Sequence, residues 1–228
     1  DFYALNDLHG KFSDTDDFVG VDELTTYLKN AYKTDDNLVL LSSGDMWQGS
    51  AESNLTRGLL ITEWMNELGF VSMTLGNHEF DFRISRLDEL VDMMDTKPVC
   101  CNFQKLGEDT TCYEPYSIVS YGDVDIAYIG ITTPSTISSS APAQFKDENG
   151  NYIYSFNSTE LYDVVQESID SAEARGADYV IALSHIGYAE DEIYGDLEDV
   201  ETLIKNTSGF DAVLDAHSHT VIESQTIE

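Results

Sequence analysis

Cations are scarce in this chain: 11 Lys+Arg stand against 43 Asp+Glu in 228 residues, a formal net charge of −32. A surface of that sign repels phosphate backbones and anionic headgroups, which excludes polymeric nucleic acid as a partner. Long apolar runs are missing as well. None reaches the roughly 18 residues a membrane-spanning helix needs, and the first residues lack a basic-then-apolar signal pattern. Cysteine is rare, and Cys100, Cys101 and Cys112 form an odd set that closes at most one bridge, so a disulfide scaffold is excluded. Two alternatives stay open for them, buried unbridged thiols or a single Cys101–Cys112 bridge; their spacing matches no zinc pattern. What is plentiful is core material. Hydrophobic residues make up 42 % of the chain and aromatics 11 %, which excludes intrinsic disorder and suits one large α/β domain or two small ones.

Short β-rich runs alternate with helical patterns. Phe2 to Leu5, Leu38 to Leu41, Phe70 to Leu75, Val99 to Phe103, Tyr179 to Leu183 and Ala212 to Leu214 read as buried strands. Between them, Val21, Leu24, Leu28 and Ala31 keep helical spacing, as do Leu60, Trp64 and Leu68 ahead of a stop at Gly69. Ser85 with Asp88 predicts a capping box opening the helix that carries Leu87, Leu90, Val91 and Met94. A longer helix is expected over Thr159 to Arg175, closed by Gly176, and another around Leu197 to Asn206. Two alternating runs from Tyr116 to Ile131 flank Gly122-Asp123 and predict a hairpin inserted into a parallel plan. The expected architecture is one α/β layered domain with right-handed crossovers. Only nine residues follow His219, too few for another helix and strand, so the natural protein is expected to continue.

All five histidines, His9, His78, His185, His217 and His219, fall just past the C-terminal end of a predicted strand. In a parallel sheet those ends share one rim, where ligands gather. The same turns bring Asp7, Asp45 and Asn77. A single such histidine is most simply a packed loop residue, but five of them with three Asx partners are not. A donor set of imidazole, carboxylate and amide oxygen, without thiolate, suits two borderline divalent ions with positions open to water and substrate. Asp7 and His9, on opposite sides of Leu8, can turn to one ion if the strand ends extended; Asp45, alone on its strand, is placed to bridge two.

The ordered blocks DLHG, GDMWQGS, GNHEFD, SHIG and HSH resemble those of the calcineurin-like metallophosphoesterases, most closely the catalytic domain of 5′-nucleotidases and UDP-sugar hydrolases. The resemblance covers nearly the whole chain. It implies a layered metallophosphoesterase fold over residues 1–228, with mostly parallel sheets flanked by helices and an inserted hairpin. It implies further that Asp7, His9, Asp45 and His219 hold one ion and Asp45, Asn77, His185 and His217 the other, both of a Zn, Mn or Co type. His78 would contact the phosphoryl group or leaving oxygen together with Asn77, with Asp81 orienting its imidazole.

The expected reaction is hydrolysis of a phosphate monoester, foremost a small-molecule nucleoside 5′-monophosphate. A 2′,3′-cyclic nucleotide phosphodiesterase and a UDP-sugar hydrolase stand as alternatives in the same chemistry, and a noncatalytic metal-binding cell-surface module as one of another class. The family's C-terminal substrate-binding domain is absent from these residues. Family analogy also implies an extracytoplasmic location: secreted, cell surface or periplasmic.

One departure from the pattern is Asp215, where the family has Gly before the His-Ser-His segment. Three further features carry less. Asp14 to Asp17 lacks the glycine and closing glutamate of an EF-hand and reads as a helix start. The acidic run from Glu190 to Glu201 reads as a solvated face, and Trp47 either packs beneath the Asp45 loop or touches substrate. The Asn-x-Ser/Thr triplets at Asn54, Asn157 and Asn206 decide nothing.

Overall fold

The computed structural model describes residues 1–15, 19–188, 199–222 and 224–227. Among them the strands form two main sheets, as the layered fold expected from the resemblance requires. The first is parallel, in the order β1 (Phe2–Ala4), β2 (Val39–Ser42), β3 (Ser72–Met73). The second runs β5 (Tyr116–Tyr121), β6 (Val124–Thr132), β8 (Tyr179–His185), β9 (Ala212–Leu214), parallel except for the β5–β6 hairpin. That hairpin turns at Gly122-Asp123 as expected, with Tyr121 opposite Val124. A short antiparallel pair, β4 (Gln104–Lys105) with β7 (Tyr154–Ser155), lies apart from both.

The alternation of side chains along the strands explains why there are two sheets. Leu40 on β2 packs with the helices α1 (Val21–Ala31), α3 (Leu59–Leu68) and α4 (Ile84–Met93), whereas its neighbours Val39 and Leu41 face the other way. On the second sheet Ala127, Ile129, Val180 and Ala182 pack against α6 (Leu161–Ala174) and Leu203 of α7 (Val200–Asn206), while Ile126, Tyr128, Ile181 and Leu183 turn to meet Val39 and Leu41. The result is four layers, helices–sheet–sheet–helices, each sheet apolar on both faces because both faces are covered. Two short helices, α2 (Ala51–Thr56) and α5 (Thr136–Ser139), flank the strand-end loops.

Two local expectations are corrected, and one open alternative is decided. Val99 to Phe103 is not a strand: it is a buried strap whose donors go to different places, Val99 N–H to Met73 O (2.9 Å) on the first sheet and Cys101 N–H to Gly130 O (2.8 Å) on the second. It presses so close to β6 that a Cβ on Gly130 would lie 1.9 Å from Val99 O. Ser85 does not open α4, which starts one residue earlier after Arg83 in a left-handed conformation (φ 78°) with no side-chain cap. The tight turn through His78–Phe80 and Asp81 delivers the chain to that point and fixes the start. All three cysteines are free, Cys100 and Cys101 buried and Cys112 exposed, which is the unbridged alternative. Of the acidic stretch before α1, Asp14 accepts from Gly20 N–H (2.7 Å), while Asp16 and Asp17 lie outside the described residues. So do most of the run from Glu190 to Glu201 and the expected first residues, 197 and 198, of the helix realised as α7.

Since β6 has no room for a side chain at Gly130, Gly130→Ala should lower unfolding stability by about 3 kcal/mol or more, above the usual range for overpacking. Gly69→Ala has nothing within 4 Å of its Cβ and should cost only the strain of its left-handed backbone (φ 74°), about 1 kcal/mol. Chemical denaturation of the two variants checks this, and equal losses would contradict the strap packing.

Candidate metal centre

The C-terminal ends of the two sheets meet along one seam, and the expected site residues come from both sides of it. Asp7 and His9 follow β1, Asp45 follows β2, and Asn77 and His78 follow β3; His185 ends β8, and His217 and His219 follow β9. The backbone that presents them is not extended. Asp7 (φ 53°), His9 (49°), Asp45 (55°), His217 (87°) and His219 (55°) all sit in the left-handed region, which corrects the expectation of an extended β1 end. Such residues are uncommon outside glycine and persist only where the surroundings hold them. Here His9 N–H donates to Asp45 O (3.0 Å), Asp7 N–H to Gly44 O (3.0 Å), and His217 N–H to both Asp7 oxygens (3.3 Å).

Two donor sets converge. In one, Asp7 Oδ1 lies 3.5 Å from His219 Nε2, which lies 3.3 Å from His9 Nε2. In the other, the fully buried His185 Nε2 lies 3.1 Å from Asp45 Oδ2 and 3.3 Å from Asn77 Oδ1, with the His217 ring 5.0 Å away. Asp45, 1 % exposed, stands between them, its Oδ2 also 4.0 Å from His9 Nε2. Within 4.8 Å of one another lie ligand atoms of Asp7, His9 and His219, of Asp45, His185 and His217, and of His9, Asp45 and His78.

The hydrogen bonds behind the rings show which nitrogens face the centre. His9 Nδ1 faces Gln48 O at 3.1 Å and His185 Nδ1 faces Ser43 O at 2.6 Å, so each Nδ1 carries the proton and each Nε2 presents a lone pair to the centre. For His185 that lone pair faces two oxygen acceptors, an arrangement that demands a cation between them. Backbone carbonyls fixing the ring in this way are the usual support of metal-ligating imidazoles. Burial opposes a charged His185, yet Asp45 outweighs it and lifts its pKa to about 9, while burial and then the charge of His185 push His217 down to about 4. Asp45 is held well below the usual carboxylate range, its burial outweighed by His185 and then by His78. The donor set therefore fits divalent cations.

His78 stands beside these sets. Its Nδ1 bonds Asp81 Oδ2 at 2.6 Å, and that bond is the first cause of its raised pKa. Asp81 is held in turn by Ser140 Oγ–H on its other oxygen (3.0 Å). Together with His9, Asp45, Asn77, His217 and His219, His78 lines a cleft of about 620 Å³ walled by Ser135, Ser138, Tyr188 and Ser218. Trp47 is fully buried among the residues of the first core, so it packs beneath the loop. Asp215 accepts from Ile186 N–H (3.2 Å) and Gly187 N–H (3.1 Å), anchoring the loop after His185. Two contributors were not assigned a role from sequence. Ser140 carried no motif, and Glu79 stood inside a quoted block with no sign that it would be buried.

Comparison with known proteins agrees with this geometry. The 5′-nucleotidase of Bos taurus is 27 % identical over 208 residues, 89 % of this chain and 33 % of that protein, so the chain spans about a third of the length of such relatives. The crystal structure of a 5′-nucleotidase precursor from Thermus thermophilus superposes with a TM-score of 0.77 at 26 % identity, covering 98 % of this chain and 42 % of that one. The calcineurin-like phosphoesterase YfkN from Bacillus subtilis, at 24 % identity and a TM-score of 0.81, covers 98 % and 73 % and shares the fold. The model of the calcineurin-like phosphoesterase family matches residues 1–221. With fold, donor sets and family model in agreement over nearly its whole length, the chain belongs to the calcineurin-like phosphoesterase family.

Proposed function

We propose that this chain is the catalytic domain of a dinuclear metal-dependent phosphohydrolase that cleaves phosphate monoesters, nucleoside 5′-monophosphates foremost. The observation that carries the reading is the sharing of one buried carboxylate, Asp45, between two imidazole–carboxylate sets, with the His78–Asp81 pair alongside. In this reading Asp7, His9, Asp45 and His219 hold one ion and Asp45, Asn77, His185 and His217 the other. Held there, two divalent cations would supply an acidified water for attack at neutral pH and charge to offset that of the phosphoryl group.

The chain's own residues do the rest. Asn77 and His78 face the cleft and position the phosphoryl oxygens. Asp81 holds the Nδ1 proton of His78 and favours a second proton on the ring, which Nε2 offers to a phosphoryl or departing oxygen. The cleft volume suits a ligand of nucleotide size. The nucleoside 5′-monophosphate preference is taken from the named 5′-nucleotidases, and contacts to base and ribose are assigned to a second domain outside these residues. The extracytoplasmic location is likewise part of the proposal. No helix among the described residues is long and apolar enough to cross a membrane.

Metal analysis after dialysis against Mn²⁺ should approach two equivalents per chain, and a plateau at one would contradict the shared-carboxylate reading. Asp45→Ala should lose metal from both sites and His219→Ala from one; equal metal content in wild type and Asp45→Ala would remove the bridge.

In the full-length protein, His78→Ala should keep the metal content of wild type while turnover of nucleoside 5′-monophosphates falls roughly 10²- to 10⁴-fold. Loss of metal in that variant would make His78 a ligand. Asp81→Asn should cost less. Because the Asp81 bond is what raises the His78 pKa, the basic limb of its kcat/KM–pH profile should also move to lower pH. A basic limb that stays in place would show that a different group is titrating. A substrate panel including 2′,3′-cyclic nucleotides and nucleotide sugars tests the choice of ester, and inactivity toward all three with two metals bound would favour the noncatalytic module.

A further inference from the structure

Glu79 is 1 % exposed, and among the described residues its carboxylate makes no direct ion pair. It is satisfied entirely by four backbone N–H groups. Oε2 accepts from Asp45 (2.7 Å) and Gly76 (2.7 Å), and Oε1 from Met46 (2.8 Å) and Trp47 (3.3 Å). The donors belong to two loops, one after β2 carrying Asp45 and one after β3 carrying Asn77 and His78. A third loop hangs from the first, because the carbonyls of Asp45 and Met46 accept from His9 N–H (3.0 Å) and Gly10 N–H (2.8 Å). One side chain therefore ties together every candidate ligand that the first sheet supplies, apart from Asp7.

The fit leaves no slack. A Cβ on Gly76 would lie 2.2 Å from Asp45 Oδ1, and Asp45 itself is held in the left-handed region, so the two loops cannot slide past each other without moving the shared carboxylate. A carboxylate buried beside Asp45 is also costly to keep charged, and the four N–H donors are what offset that cost. A neutral side chain would spare that cost but would lack two acceptor oxygens, each with room for two donors.

We propose that Glu79 is a positioning residue: its carboxylate clamps the Asp45 and Asn77–His78 loops so that the Asp45 side chain reaches both donor sets, and thereby sets the spacing of the two metals. The role rests on the dinuclear reading above and adds to it a residue that touches neither metal nor substrate.

The test uses Glu79→Gln, which keeps shape but replaces one acceptor oxygen with an NH₂ group facing N–H donors. With the far-UV spectrum of wild type retained, Mn²⁺ titration calorimetry should show affinity weakened by about 10- to 100-fold, the usual effect of losing a residue that supports metal ligands. The exchange-coupled electron paramagnetic resonance signal of a carboxylate-bridged Mn²⁺ pair, present in wild type, should be lost. A lower melting temperature with affinity and coupling intact would overturn the proposal and leave the dinuclear reading standing. A wild-type protein that binds one Mn²⁺, or two without coupling, would overturn both.

Hydrogen exchange of the metal-free wild type keeps the test open if the variant does not fold. The amides of Asp45, Met46, Trp47 and Gly76 should be as protected as those of β2 before any metal is added. Exchange at the rate of the exposed loops would overturn the clamp by itself.

Discussion

The contact on which this molecule depends is the meeting of two sheets through Val39 and Leu41 on one side and Ile126, Tyr128, Ile181 and Leu183 on the other. It is an apolar interface without charge, and its favourable term is area removed from water. Its direction matters more than its strength. By stacking β2 against β6 and β8 it brings strand ends that belong to different hydrogen-bonded ladders to a common edge. Polar bonds across the seam then fix the register: Ser43 Oγ–H to Leu214 O (2.8 Å), Thr132 Oγ1–H to Leu75 O (2.6 Å), and the His185 ring to Ser43 O. A candidate ligand on one sheet is thus oriented by a carbonyl on the other.

Beneath the rim, rigidity comes from aromatic packing. Phe80, fully buried, meets Phe103 at 5.0 Å and Phe156 at 5.3 Å between ring centroids, mostly edge to face, with Phe145 at 5.7 Å. These rings hold the turn from which His78 and Glu79 rise, so the chemistry on one side of a single helical turn is braced by apolar contact on the other. Asn102 does similar work near the end of β6, its amide bonding Thr132 N–H, Thr132 O and Phe156 O as a strand would.

The histidines were legible because each follows a run of β-branched or aromatic residues, and that pattern survives without knowing which sheet the run joins. The helices over α1, α3 and α6 and the Gly122-Asp123 hairpin were legible for the same local reason. The split into two sheets came only with the resemblance and not from the local pattern, because a strand covered on both faces reads as a continuous apolar run whatever covers it. Val99 to Phe103 has strand composition, but its partners, Met73, Glu114 and Gly130, are set by tertiary packing and leave no local mark. Ser85 and Asp88 satisfied a capping pattern that the Asp81 turn overrode. Glu79 was hidden most thoroughly. In sequence it is an acidic residue beside a histidine, and three of its four donors lie more than thirty positions upstream.

Five residues at the rim hold backbone angles that their side chains disfavour, each at a cost of order 1 kcal/mol or somewhat more. Glycine would adopt those angles freely, and glycine at any of them would delete a candidate ligand. Selection for stability alone would therefore erode this rim, one aspartate or histidine at a time, while improving the fold. A lineage released from catalysis should drift in that direction first, and intact rims among divergent copies would mark those still under demand for the chemistry.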